Sequence, residues 1–306
     1  MRSHTRVVPD ESDDVEVQAF VLQFLTGLSR AAILFIVASG LSLVFGAMRV
    51  VNIAHGSFYM IGAFVSVTVV QYVDGLPGFL LAIVAGAVVV AGLSAVIEVV
   101  ALRRLYQAEH LLQLLATFAF VLILADGVQF FWGERPRSVM QPALIGGSVD
   151  INGLIFPKYS LFLIAVAVLL AIGLWALLTR TGLGRDIRAA VTDPEMLGMV
   201  GVNVPRLFTI VFALGGALAA LGGVLAAPQS TARLGMDISI VVESFAVVII
   251  GGLGSLVGTA VGSLLVGLTF AFGIVFFPQA ALGIVFVVMA AVLVWRPYGL
   301  FGVPER

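Results

Sequence analysis

The chain has 306 residues, of which 61% are hydrophobic and 11% charged, with a mean hydropathy of +1.15. A soluble domain carries about twice that charged fraction, so the composition is that of a membrane protein. A net charge of −1 offers no basic face to nucleic acid, and zero cysteines exclude disulfides, thiolate metal sites and a cysteine nucleophile.

Residues 1–16 read as a polar, acidic N-terminal tail (Asp10, Glu11, Asp13, Asp14, Glu16), and 17–306 as a single transmembrane domain. Acidic residues where a basic n-region should stand argue against a cleaved signal peptide. Val17, Phe20, Val21, Phe24, Leu25 and Leu28 recur at helical spacing with Gln18 and Gln23 between them. That pattern predicts an amphipathic helix at the membrane surface or against the bundle, ended by Arg30. Ala31–Met48 is then the first full span, and further apolar runs follow at 55–72, 79–102, 111–131, 160–178, 206–227, 240–254, 256–274 and 278–295. The fold class predicted is all-α, a polytopic integral membrane protein with about eight or nine transmembrane helices, some short or broken. The 240–254 run is the short one. Trp132–Tyr159, with Pro136, Pro142, Pro157 and the pair Gly146-Gly147, is too long for a simple connection and predicts an ordered or partly ordered external loop.

Arg180–Arg206 is polar yet keeps a helical plan. Arg185 and Arg188 share one face of a short helix, while Ile187, Ala190 and Val191 share another. Thr192 or Asp193 can cap a second helix, Pro194 suits its first turn, and Thr192-x-x-Glu195 has capping-box spacing. Gly201 stops that helix, and Asn203-Val-Pro205 opens the next apolar run. Two short amphipathic helices between spans predict a surface held by another protein. If this loop is cytoplasmic, alternation puts Arg49, Arg103, Arg104, Arg296 and Arg306 on its side, with the N-terminus outside and the C-terminus cytoplasmic.

Few polar residues interrupt the spans. Asn52 and His55 fall on one side of a helix, Tyr59 lies one turn on, and Gly56 admits a close neighbour. Two readings stand. The stretch is an unwound break lining a solute path, or a cytoplasmic turn in which Asn52 and His55 cap the flanking helices. His4, His55 and His110 are too scattered for a metal site. Glu98 lies close to Arg103 and Arg104, which predicts an ion pair or a side chain snorkelling to the surface. Asp126, with Gln129 beyond it, and Glu243 near the outer end of the short span need protein or water beside them, because an acid in lipid costs roughly 2.5–3.5 kcal/mol. Each serves as a structural hydrogen-bonding group or as a contact on the solute path. Gly215, Ala219 and Gly223, and likewise Gly258 and Gly262, recur every fourth residue, the spacing of small-residue helix packing. His55-Gly56-Ser57 and Gly254-Ser255 each open a span after a break, a hint of an internal repeat. No P-loop, His-Glu-x-x-His helix or Gly-x-Ser-x-Gly elbow occurs, so neither an enzyme nor a cofactor is predicted.

Glu195 followed by Gly201, between two spans, resembles the "EAA" coupling loop of ABC importer permeases, with Met196 and Leu197 where that pattern has two alanines. The stretch Gly182–Pro205, together with Gly46–Phe64 (GAMRVVNIAHGSFYMIGAF) and Gly251–Gly262 (GGLGSLVGTAVG), is similar to the LivH-type permease family. These are membrane subunits of branched-chain amino acid importers. The resemblance implies a bacterial inner-membrane protein working with a second permease of the LivM type, two ATPase subunits and a periplasmic or lipoprotein solute-binding protein. Arg185, Arg188, Glu195 and Gly201 would then serve ATPase coupling. Asn52, His55, Gly56, Tyr59, Asp126 and Glu243 are the candidates for the solute path. The solute would be a branched-chain amino acid, or urea, an amide or an aromatic acid as in related permeases. A stand-alone channel or ion-coupled carrier is the alternative, and it calls for several buried ionisable groups near mid-membrane.

Overall fold

A computed structural model describes residues 11–106, 108–151 and 154–302. The α-helices among them are α1 (Glu11–Met48), α2 (His55–Tyr72), α3 (Gly75–Val100), α4 (His110–Trp132), α5 (Lys158–Arg180), α6 (Gly182–Thr192), α7 (Pro194–Met199), α8 (Val204–Ala226), α9 (Met236–Gly251), α10 (Leu256–Phe276) and α11 (Ala281–Trp295). Every predicted apolar run is a helix. Six of them (α1, α3, α4, α5, α8 and α10) are long and apolar enough to cross a membrane. Helices α2, α9 and α11 are shorter, at 18, 16 and 15 residues. The chain is an all-α, multi-pass membrane protein.

The N-terminal region corrects one expectation, the helix end at Arg30. Residues 1–10 of the predicted tail lie outside the described residues, and α1 begins at Glu11. No break occurs at Arg30, and α1 continues for 38 residues, about 57 Å. The reason is that the Arg30 charge is met inside the bundle. One of its terminal nitrogens, Nη2, donates to both carboxylate oxygens of Glu243 at 2.7 Å, and its guanidinium lies 3.6 Å from the Phe270 ring centre. The predicted amphipathic face packs on α10, where Gln23 donates to the Ala271 carbonyl and Phe20 meets Phe272 at 5.2 Å.

Helices α1 and α8 organise the bundle reciprocally. Helix α1 touches α8, α9 and α10, and α8 touches α1, α2 and α3. Each triplet is a long helix, an irregular break, a short helix and a return helix. Backbones approach closely through the glycines that the spacing singled out. A Cβ on Gly215 would crowd Val44 and the Gly40 carbonyl, one on Gly223 would land on the Tyr59 carbonyl, and Gly258 and Gly262 press against Gly251 and Val247. Helices α4 and α5 are peripheral, with only 22% and 11% of their spans buried.

The bundle has two distinct ends. One carries α6 and α7, the start of α8 and the end of α1; the segment after α11 returns there, with Leu300 and Phe301 bonded to the carbonyls of Ile250 and Gly251. The other carries an antiparallel hairpin, β1 (Ser148–Ile151) and β2 (Leu154–Pro157), within the long loop predicted to be ordered or partly ordered. That loop is pinned across the bundle by paired backbone bonds between Arg137 and Ala232, 2.9 and 2.8 Å, and by Gln229 to Ser160 at 3.1 Å.

Candidate functional site

The break after α1 is where the polar motif sits. Arg49 terminates the helix with φ 53°, the only positive φ at a non-glycine residue among those described, and its N–H bonds to the Phe45 carbonyl at 2.8 Å. Residues 49–54 then turn back along α1. His55 Nε2 lies 2.9 Å from the carbonyl oxygen of Val37, and Val37 precedes Met48 by eleven residues, about 16 Å of helix. Helix α2 therefore starts beside α1 about three turns before that helix ends, not at its end. This differs from the cytoplasmic-turn reading. No side chain caps α2, whose N-cap is Ala54. Asn52 and His55 are buried, and Asn52 Oδ1, Asn52 Nδ2 and His55 Nδ1 have no partner among the described residues.

A second break mirrors the first. Helix α8 ends at Ala226, residues 227–235 are irregular, and α9 starts after Gly235 at φ 84°. The first turns of α2 and α9 meet inside the bundle. A Cβ on Gly56 would land on the Asp237 carbonyl, and Ser57 Oγ donates to Asp237 Oδ2 at 3.1 Å. Asp237 is 2% exposed and was missed by sequence reasoning. An acid two residues after a glycine, opening an apolar run, was the available signal, since a helix N-terminus favours a negative charge. The repeat partner of His55-Gly56-Ser57 is thus the start of α9, not Gly254-Ser255. Ser255 caps α10 instead, accepting from Gly258 N at 3.0 Å.

A cavity of about 790 Å³ occupies the hairpin-end half of the bundle, lined by residues of α1, α2, α9 and α10 and by the second break. Tyr59 and Glu243 both face it, together with Gln23, Arg30, Ser230 and Phe270. Glu243 sits at the middle of α9, because that helix begins four residues earlier than the apolar run. Asn52, His55 and Gly56 are not in the lining; His55 and Gly56 lie within a turn of Tyr59 on α2. Asp126 is elsewhere. It is exposed on the outer face of peripheral α4, about 9 Å of helix from Trp132, among Leu122, Ile123 and Phe130. The structure brings Tyr59 and Glu243 together, joins His55 and Gly56 to α1 and α9, and leaves Asp126 apart.

The loop between α5 and α8 folds as two short helices. Thr181 caps α6, accepting from Gly184 N at 3.0 Å, and Ile187 and Ala190 anchor its inner face. Val191, expected on that face, is 40% exposed. Asp193 rather than Thr192 caps α7, accepting from Met196 N at 2.9 Å, with Pro194 at the first position; the Thr192 hydroxyl instead bonds the Arg188 carbonyl. The capping box therefore does not form. Gly201 at φ 92° ends the unit, and Asn203 caps α8. Arg185, Arg188 and Glu195 are exposed, and beside them stand Met196, Met199 and Val200, at 61%, 80% and 73% exposure. Leu197 is buried and fixes α7 to the core. The two residues departing from the alanine pattern thus point opposite ways, one inward and one outward.

Behind this surface a polar cluster joins α3 to α8. Glu98 is fully buried and accepts from Arg103 at 3.1 and 3.2 Å, from Tyr106, and from the Thr209 hydroxyl at 2.7 Å. Arg103 also donates to Thr209 Oγ1 at 2.6 Å. Burial and the hydrogen bond to Glu98 hold the Tyr106 phenol well above its ordinary range, so it stays a donor. The ion pair with Arg103 was legible in the sequence; Tyr106 and Thr209 were not.

Residues 23–294 match the family described as "Branched-chain amino acid transport system / permease component". The chain is 29% identical over 303 residues to the high-affinity branched-chain amino acid transport system permease protein BraD of Pseudomonas aeruginosa, covering 95% of this chain and 98% of that protein. It is 28% identical over 308 residues to the permease protein LivH of Escherichia coli K12, covering 94% and 96%. A probable LivH of Methanocaldococcus jannaschii is 28% identical over 286 residues, covering 89% of each. No solved structure matches the chain. With a family match across nearly its whole length and relatives aligned end to end, the chain belongs to the branched-chain amino acid transport system permease family.

Proposed function

We propose that this chain is the membrane-spanning permease subunit of an ABC importer for a branched-chain amino acid or a related small solute. The observation that carries the reading is the surface of α6 and α7. There, exposed Arg185, Arg188 and Glu195 surround the apolar residues Met196, Met199 and Val200, on two helices that Leu197 and Ile187 tie to the core. Charged and apolar groups on a short, anchored, two-helix unit suit a partner that must push. In this reading two ATPase subunits dock there, the loop end is cytoplasmic, and the protein lies in the bacterial inner membrane.

The solute arrives from a periplasmic or lipoprotein binding protein at the hairpin end. ATP-driven closure of the ATPases shifts α6 and α7, and α8 carries the motion toward the two breaks. Because Gly56 and Ser57 lock α2 to Asp237 of α9, displacement of one short helix moves the other. Tyr59 and Glu243 line the approach, and Asn52 and His55 lie where the path narrows. Asp126 on α4 needs protein or water beside it at membrane depth, which suits a face shared with a second permease of the LivM type. Purification from the native host tests the reading: ATPase subunits co-purify with the permease, and a chain that comes out alone contradicts it.

A second reading, an ion-coupled carrier, draws on Asp237, a buried acid with a serine partner and, among the described residues, no ion-pair partner. Glu98 and Glu243 weaken it, since each already holds an arginine.

A further inference from the structure

The pair Arg30–Glu243 is expensive for a membrane protein. Two charges are taken from water into the bundle, and such a pair is weak evidence for stability, because apolar side chains of similar size do as well or better. Its surroundings also differ from those of Glu98. The two arginines are equally exposed, but the Glu98 carboxylate is sealed at 0% whereas that of Glu243 is 10% exposed, and Arg30 and Glu243 both stand on the wall of the 790 Å³ cavity. That volume falls within the roughly 300–1,000 Å³ of small-ligand sites. Glu243 occupies only one nitrogen of the guanidinium, Nη2; Nε is buried and has no partner among the described residues. Phe270 supports the guanidinium from one face, so its remaining donors are held in place.

We propose that Arg30 and Glu243 bind the charged head of the transported solute, which is a zwitterionic α-amino acid. The inference rests on the importer reading and adds the residues that hold the solute. An amino acid carries its ammonium and carboxylate on one carbon, a spacing matched by two opposite charges 2.7 Å apart. The ammonium pairs with Glu243 and the carboxylate with Arg30, so four charges are compensated crosswise and none is stranded. Ile33, Ile240 and Ile274 of the same cavity receive an apolar side chain. A solute lacking either charge leaves one member of the pair facing an uncharged group. The site therefore selects amino acids over urea or simple amides independently of the binding protein.

The test uses the complete transporter in proteoliposomes, with radiolabelled leucine, isoleucine and valine, and uptake counted per complex that co-purifies with its ATPase subunits. The double variant Arg30→Met/Glu243→Leu removes both charges at similar size, so it assembles. Its uptake of all three amino acids falls at least tenfold. Glu243→Gln, which keeps volume and a hydrogen-bond acceptor for Arg30, gives the same loss and covers the case in which the double variant does not assemble. Uptake within twofold of wild type in either assembled variant overturns the site. Failure of the wild-type complex to take up any amino acid contradicts the importer reading instead.

Discussion

Replacing Gly56 by alanine tests the contact between the two breaks with a single methyl group. The added Cβ would lie 2.9 Å from the Asp237 carbonyl carbon and 3.0 Å from Val241 Cβ, and would overlap the Asp237 carbonyl oxygen. Most of these atoms are backbone, so no side-chain rotation relieves the clash, and α2 must move away from α9. Overpacking of this kind costs about 1–3 kcal/mol. The gain in helix propensity is small at the second residue of α2 and offsets well under 1 kcal/mol. Gly127→Ala on α4 is the internal control, because nothing lies within 4 Å of its added Cβ. There the substitution stabilises by about 0.5–1 kcal/mol. Thermal unfolding of both variants in detergent, followed by loss of the assembled complex, gives the comparison. Gly56→Ala melts below wild type and Gly127→Ala at or above it. If Gly56→Ala melts as high as Gly127→Ala, the two helix starts do not touch as described.

Other substitutions probe the remaining contacts. Arg185→Glu with Arg188→Glu abolishes solute-stimulated ATP hydrolysis, while the permease stays inserted and folded, because both side chains stand on the exposed face of α6; wild-type stimulation removes this face from coupling. Glu98→Ala strands the Tyr106 hydroxyl and leaves Arg103 unpaired, costing about 3 kcal/mol after allowance for the exposure of Arg103. Thr209→Val at the same cluster costs about 1 kcal/mol, and equal melting temperatures for these two variants contradict the ranking. Gly258→Leu with Gly262→Leu forces α10 off α9 and prevents assembly, so normal yield and transport show that this stripe is not a packing face.

Hydropathy periods located each membrane helix, because lipid requires long apolar segments whose backbone bonds are internal. Local chemistry located the ends of α6, α7 and α8, where Asp193, Gly201 and Asn203 act within four residues of themselves. Depth was not legible. An apolar run starting at residue 55 reads the same whether its helix begins at the surface or about 16 Å inside; the bond from His55 to Val37 and the contact of Gly56 with Asp237 decide. Arg30 looked like a boundary because a charge normally ends a span, and its partner lies 213 residues away. The reciprocal packing of α1 and α8 was likewise hidden, since the short helix equivalent to α2 begins at Met236, with no polar motif resembling Asn52–Gly56. Among the site candidates, Tyr59 and Glu243 converge on one cavity, while Asp126 was drawn into the same group by charge alone.

Uptake by the reconstituted transporter addresses the central claim most directly. The permease is assembled in vesicles with its second permease, ATPase subunits and binding protein, and radiolabelled leucine accumulation is followed with ATP, without ATP, and under an imposed proton or sodium gradient. An importer whose α6–α7 surface receives the ATPases accumulates solute only with ATP and binding protein, and loses this on Arg185→Glu with Arg188→Glu. Accumulation driven by an ion gradient without ATP, and unaffected by those substitutions, contradicts the account and favours a carrier working through Asp237.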